Sequence, residues 1–269
     1  MDWEQVFHFA ETITREVGGQ ILKDYGQVQA DEKSDGSLVT RCDRWSDDRI
    51  RRALTQTFPD HGVLSEEVSH IFPVQDWCWV VDPIDGTTNF TRGIPLWAIS
   101  LGLLYQGTPV FGYVYVPPLD HAIYGYWQAP GQEDGAFLNG HPIHTRAAAP
   151  AANQCFSLCA RSIGLLRRPF PCKVRMLGVA SYNLLGVALG SLVGAVEATP
   201  KIWDIAGVWP ILQAAGASWI PLDDQPPFPL MPGHNYRDRP FPTLVVNQPD
   251  WIDQFQTLIQ ASRAPAPES

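Results

Sequence analysis

Trp79-Val80-Val81-Asp82-Pro83-Ile84-Asp85-Gly86-Thr87-Thr88-Asn89-Phe90 sets an apolar strand directly against two carboxylates and a glycine turn. Asp82 reads as the last strand residue, because Pro83 removes a backbone donor and disfavours helix at the residue before it. Asp85 follows on the turn, so both carboxylates converge at the carboxyl end of the strand, where open α/β sheets place ligands. Gly86-Thr87-Thr88 reads as a helix start, whose unbonded N–H groups and positive dipole end suit a phosphate. An Asp-Gly turn with Asp82 as a cap would explain the same letters without a ligand.

Upstream, residues 3–25 place Trp3, Val6, Phe7, Ala10, Ile13, Val17 and Ile21 at helical spacing, with Gly26 as the stop. A second helix spans about Asp43 to Phe58, with Ile50, Ala53, Leu54 and Phe58 inward, Asp47, Asp48, Arg51 and Arg52 outward, and Pro59 closing it. Short strands follow at 77–81, 99–103, 110–116 and 122–127, separated by turns at Gly107, Pro117-Pro118 and Gly131. After Pro150 the pattern alternates: strand 155–160, helix 179–192, strand 194–198, helix 205–215, strand 243–247 and helix 251–261. A strand-rich first half and an alternating second half imply layered α and β elements, α+β or α/β, with two sheets sandwiched by helices. The halves divide as 1–150 and 151–262, treated as one compact unit, with 263–269 as a tail. Residues 221–242 hold seven prolines and read as a long surface loop.

At 269 residues the chain is one large domain or two intimately packed ones, and it needs neither disulfide nor structural metal to bury a core. Apolar residues at 45% and charged residues at 17% exclude a disordered chain. A formal charge of −9 argues against a nucleic-acid or anionic-membrane partner, so an anionic substrate would need metal. Cys42, Cys78, Cys155, Cys159 and Cys172 form no CxxC pair and read as reduced thiols. Met1-Asp2-Trp3-Glu4 carries acids where a signal peptide needs a basic region, and no run of 18 apolar residues appears, so the expected address is cytoplasmic.

Further acids bear on the same chemistry. Glu66-Glu67 follows Leu64-Ser65; adjacent residues share no face on helix or strand, so the two carboxylates are expected to do different jobs. Asp204 in Trp203-Asp204-Ile205 sits where an N-cap belongs for helix 205–215, and Asp43 has the same capping reading at the second helix. The seven histidines form no ligand cluster, and Walker A, GxSxG and HExxH motifs are absent. Carboxylate-rich oxygen sites suit Mg²⁺ rather than zinc, and paired Mg²⁺ ions suit in-line phosphoryl displacement.

Read together, Leu38-Val39-Thr40 through Asp43, Glu66-Glu67, Asp82 through Phe90, Gly135-Ala-Phe-Leu-Asn-Gly140 with Pro142-Ile143, and Trp203-Asp204-Ile205-Ala206 resemble the inositol monophosphatase family of Mg²⁺-dependent, lithium-sensitive phosphatases. The resemblance implies a five-layer αβαβα sandwich, usually a homodimer. It implies a phosphoric monoester hydrolase that attacks a small polyol phosphate, inositol 1-phosphate first, with a metal-activated water and no covalent phosphoenzyme. Fructose 1,6-bisphosphate, histidinol phosphate and 3′-phosphonucleotides or NADP are the alternative substrates, and a non-catalytic regulatory homologue is the alternative of another class. Glu66, Asp82, the Ile84 carbonyl and Thr87 would surround one Mg²⁺, and Asp82, Asp85 and Asp204 a second. Glu67 would lie in the outer shell or on a third ion. Asp43 with Thr87 would activate the water, and the Gly86 and Thr87 amides would bind phosphate. Gly178, Ala180 and Glu197 would contact the alcohol. Departures are Val179 for a Thr or Ser, Ser65 for a glycine, and Pro210 inside the helix after Asp204, which should kink it.

Overall fold

The computed structural model describes residues 1–33, 36, 38–223 and 225–259; the expected tail 263–269 and the end of the last expected helix lie outside them. Helix α1 (Trp3–Ile21) starts on Asp2, whose side chain accepts from Gln5 N at 3.0 Å, and it buries Val6, Ala10, Ile13, Val17 and Ile21. It ends four residues before the expected 25, in a turn where Asp24 N bonds Ile21 O and Gly26 N bonds Phe90 O. Strands β1 (Ala30–Glu32) and β2 (Leu38–Thr40) form a short ribbon leading into helix α2 (Arg41–Thr57). Thr40 is the N-cap of α2 and Asp43 stands at N3, completing a capping box, so Asp43 is not the cap itself. Asp47 is also corrected: it is fully buried, with Arg51 Nε donating to it at 2.7 Å.

The first sheet has seven strands in chain order: β3 (Gly62–Ser65), β4 (Trp77–Asp85), β5 (Ala98–Tyr105), β6 (Thr108–Val116), β7 (His121–Tyr126), β8 (Gly135–Leu138) and β9 (His141–Pro142), with helix α3 (Thr87–Arg92) between β4 and β5. Only β3 and β4 pair in parallel. Trp79 and Val81 face α1 and α2, while Cys78 and Val80 face the helices of the second half. Burial on both faces explains why this strand reads as one unbroken apolar run. Contrary to expectation, β4 continues past Asp82 to Asp85, through a register shift between those two residues. An irregularity of this kind is where a proline fits a strand, because Pro83 is asked for no ladder donor there.

The second sheet is assembled from β10 (Cys155–Leu158), β11 (Lys173–Arg175), β12 (Gly194–Glu197), β13 (Ser218–Pro221) and β14 (Thr243–Val246), in the order β11-β10-β12-β14-β13. Helices α4 (Ala180–Ala188), α5 (Ile202–Ala206) and α6 (Trp209–Ala214) contribute to the core between the sheets, and α7 (Ile252–Leu258) covers the far face through Phe255. The layers therefore run α, β, α, β, α. The expected single helix 205–215 is two short ones. Pro210 lies in the first turn of α6, where a missing N–H goes unused, so the kink is a full break. The break seats the Gly207 backbone against the sheet: a Cβ on Gly112 would overlap the Gly207 carbonyl oxygen and lie 2.7 Å from its carbon. Gly112→Ala should therefore lower stability by about 3 kcal/mol, as core overpacking against backbone does, read as a shifted denaturation midpoint at unchanged slope.

The proline-rich segment 221–242 is also more than a surface loop. Phe228, Leu230, Tyr236 and Phe241 are buried, Tyr236 N bonds His70 O at 2.9 Å, and Phe241 N bonds Pro200 O at 2.8 Å. No described helix is long and apolar enough to cross a membrane.

Candidate active site

The bulged end of β4 brings Asp82 and Asp85 to the floor of a cleft of about 480 Å³, where Asp204 reaches them from α5. These three acids each offer an oxygen within 4.8 Å of the others. Asp204 is at N3 of α5, not at its cap, and accepts from Lys201 N at 2.7 Å. Helix α5 begins at Ile202, three residues ahead of the expected start, because Ile202 buries fully in the core between the sheets. Asp85 accepts from Ala180 N at 3.1 Å and Ser181 N at 2.7 Å, thereby capping α4 from another layer. Val179 precedes that helix with no capping side chain of its own and is buried against Gly86. The apolar departure at 179 thus serves packing.

Glu66 and Glu67 follow β3 and line the same cleft. The expectation that they act apart is corrected in one respect: Lys33 Nζ donates to Glu66 at 2.8 Å and to Glu67 at 2.7 Å. The chain bends there, outside the strand, so two adjacent carboxylates reach one cation. Lys33 was not legible in the sequence, since nothing in its local spacing relates it to residues more than thirty positions away. Ser65 is buried, and its Oγ accepts from Ser69 N at 3.4 Å, which closes the turn carrying the pair.

Gly86 adopts φ +88° as the cap of α3, a conformation in which a side chain would be strained and would strike Val179. The next residue, Thr87, places Oγ1 3.1 Å from Asp43 Oδ1 and 3.1 Å from the Ile84 carbonyl oxygen. Asp43 Oδ2 in turn accepts from Thr40 N at 2.7 Å and Thr40 Oγ1 at 2.6 Å. The carboxylate is thereby locked with one oxygen facing Thr87.

Of the residues expected to contact the alcohol, Gly178 packs on Asn89, Ala180 uses its amide on Asp85, and Glu197 lies behind the wall. Glu197 is 2% exposed and accepts from Asn183 Nδ2 at 2.7 Å. None of the three is among the cleft-lining residues, whereas Arg161, Thr199, Lys201 and Arg237 are.

Burial raises the carboxyls of Asp43, Glu66, Asp82, Asp85 and Asp204, and neighbouring acids add to it at all of these but Asp85. Burial lifts Asp43 to about 6 against the two Thr40 hydrogen bonds, and lifts Glu66 to about 7 despite Lys33. Asp82 and Asp204 rise well above the usual carboxylate range, for burial first and neighbouring acids second. Burial also raises Asp85, with the α4 amides opposing it. Burial alone would lower the Lys33 ammonium; the two glutamates outweigh it and raise it. A folded-state pKa above the unfolded value near 4 gives stability that is full below about pH 4 and lost as pH rises through about 6 to 7. The EDTA-treated protein should therefore melt at least about 3 °C lower at pH 7.5 than at pH 5, with Mg²⁺ recovering more at pH 7.5, where the acids are ionised. A melting temperature that is flat or rises over that interval would contradict this electrostatic reading.

A donor set made only of oxygens, with three carboxylates this close, fits a hard divalent cation such as Mg²⁺. The inositol monophosphatase family model matches residues 2–240. This chain belongs to that family. Family membership makes it a phosphoric monoester hydrolase. It is 32% identical over 222 residues to the fructose-1,6-bisphosphatase/inositol-1-monophosphatase of Aquifex aeolicus, covering 74% of this chain and 79% of the relative. It is 32% identical over 210 residues to the histidinol-phosphatase of Mycobacterium tuberculosis, covering 73% and 78%. Among solved structures, the IMPase of Thermotoga maritima superposes with a TM-score of 0.77 at 26% identity, over 92% of both chains.

Proposed function

We propose that the protein is a Mg²⁺-dependent phosphomonoesterase that hydrolyses a small polyol phosphate, with inositol 1-phosphate the first to be tried. The observation that carries the reading is the placement of Asp82, Asp85 and Asp204 within 4.8 Å of one another on the cleft that Thr87 also lines. The names of the relatives keep fructose 1,6-bisphosphate and histidinol phosphate as alternatives.

Glu66, Asp82, the Ile84 carbonyl and Thr87 would hold one ion, and Asp82, Asp85 and Asp204 a second, with Glu67 outside them or on a third. Bound there, Mg²⁺ supplies Lewis-acid stabilisation of phosphoryl charge and lowers the pKa of water. The chain's own part is positioning and proton transfer. Donating its hydroxyl proton to Asp43 Oδ1, Thr87 Oγ1 turns its lone pairs to the cleft, where they accept a hydrogen bond from the attacking water. Asp43, pinned by Thr40, is then the terminal proton acceptor. The Gly86 and Thr87 amides would orient the phosphate, and Gly178, Ala180 and Glu197 would bear on the alcohol side through the wall they build. Because acids arrive from both 1–150 and 151–262, the two halves would work as one unit. The family resemblance supports a cytoplasmic homodimer inhibited by Li⁺.

The test is phosphate release in Mg²⁺ from inositol 1-phosphate, fructose 1,6-bisphosphate, histidinol phosphate, 3′-phosphoadenosine 5′-phosphate and NADP side by side. The proposal expects hydrolysis of a small polyol ester ahead of the nucleotides. Nucleotides outpacing every polyol ester would overturn the substrate class.

A further inference from the structure

Three cations line the cleft beside its acidic floor, Arg161, Lys201 and Arg237, with Asp238 next to Arg237 as a lining acid. The other two lining cations are engaged, Lys33 by Glu66 and Glu67 and Arg44 by Asp31 at 3.2 Å. Arg161, Lys201 and Arg237 form no ion pair among the described residues. Arg161 lies just beyond β10, with Nη1 donating to Thr199 Oγ1 at 3.4 Å. Lys201 precedes α5, three residues before Asp204.

Arg237 is delivered by the proline-rich segment, and the segment is anchored on both sides of it. Before it, Asn235 bridges Ile71, Phe72 N bonds His234 O at 2.9 Å, and the buried Tyr236 accepts from Met231 N through its hydroxyl at 2.8 Å. After it, Phe241 is buried and tied to Pro200. Arg239 lays its guanidinium 4.8 Å over the Phe241 ring, which commits that arginine to the loop and leaves Arg237 for the cleft. Seven prolines lower the entropy lost in ordering such a loop. Tied to the segment after Glu66 and to the one before Asp204, the loop brings Arg237 to the cleft that both acids line.

A neutral polyol ring offers these cations only hydroxyls, whereas a second anionic group offers charge-assisted and bidentate bonds. In a chain of net charge −9, such a rim is also what lets a multiply charged ester approach. We propose that the cleft accepts a phosphomonoester bearing a second anionic group, a phosphate or a carboxylate, and that Arg161 and Arg237, with Lys201 beside them, bind that group. The proposal rests on the phosphatase reading of the cleft and narrows its substrate class. An ester bearing an ammonium, such as histidinol phosphate, is disfavoured by the same rim.

The experiment measures kcat and KM at fixed Mg²⁺ for fructose 1,6-bisphosphate, 3-phosphoglycerate and inositol 1-phosphate, in the wild type and in Arg237→Ala, Arg237→Lys and Arg161→Ala. The ratio of kcat/KM for the better doubly anionic ester to that for inositol 1-phosphate should fall at least about tenfold in each alanine variant, mainly through KM, and recover in part in Arg237→Lys. Which of the two doubly anionic esters suffers the loss tells phosphate from carboxylate. A ratio unchanged in both alanine variants, while the wild type hydrolyses inositol 1-phosphate, overturns this inference and leaves the phosphatase reading standing. Absence of phosphate release from all three esters by folded, Mg²⁺-supplied wild type overturns both.

Discussion

Asp85→Asn is expected to lower kcat/KM for phosphate-ester hydrolysis by about 10³-fold, the several kcal/mol that a correctly held metal ion contributes. Asp85 does two jobs at once. Its charge joins Asp82 and Asp204 in the oxygen cluster, and its two oxygens accept the Ala180 and Ser181 amides at the start of α4. Asparagine keeps one acceptor and turns an NH₂ group toward the other amide, so a capping bond is lost along with the charge. The cap is worth about 1 kcal/mol, which should show as a melting temperature lower by about 3 °C with the fold retained. Calorimetric titration with Mg²⁺ should show weakened binding in the same variant. Near-wild-type turnover in Asp85→Asn would remove this residue from the site.

Thr87→Ala should lower kcat by about 10²–10³-fold while changing KM for the ester less than about fivefold, because positioned acid–base groups act in the transition state. Thr87→Ser, which keeps the hydroxyl beside Asp43, should restore much of the rate. Oγ1 is 3.1 Å from an Asp43 carboxylate that Thr40 fixes by two bonds, so its orientation is set before substrate arrives. Alanine retaining more than about a tenth of kcat would show that the hydroxyl has no part in activating water.

The strand that carries Asp82 and Asp85 was legible because burial on both faces leaves an unbroken apolar signature in the chain. The first helix was legible from its stripe, and the layered fold from the change of texture at Pro150. Its finer features escaped because they depend on distant partners. Pro83 ends a strand in isolation, yet the register shift opposite Ser100 and Ala98 lets β4 run on to Asp85. Pro210 kinks a helix in isolation, yet here it opens a new one after Gly207 docks on Gly112. The short strands β8 and β13 escaped because Gly135 and Pro221, at their ends, read as turn residues rather than strand. At the site the acids stood out by their motifs, whereas Lys33 and Arg237 lie in motif-free segments and gain meaning only from the residues that folding brings to them. The buried side chains of 221–242 were hidden by a proline content that normally signals exposure.

On the proposed function, the Asp82, Asp85 and Asp204 cluster with Glu66 makes this cleft a divalent-cation-dependent phosphatase centre. Its most direct test is a Mg²⁺ titration of the EDTA-stripped wild type, following phosphate released from inositol 1-phosphate and fructose 1,6-bisphosphate. No release is expected in EDTA, with a saturable return of turnover as Mg²⁺ is added. Turnover that persists undiminished in EDTA, or a folded protein that binds Mg²⁺ and releases phosphate from neither ester, would contradict it.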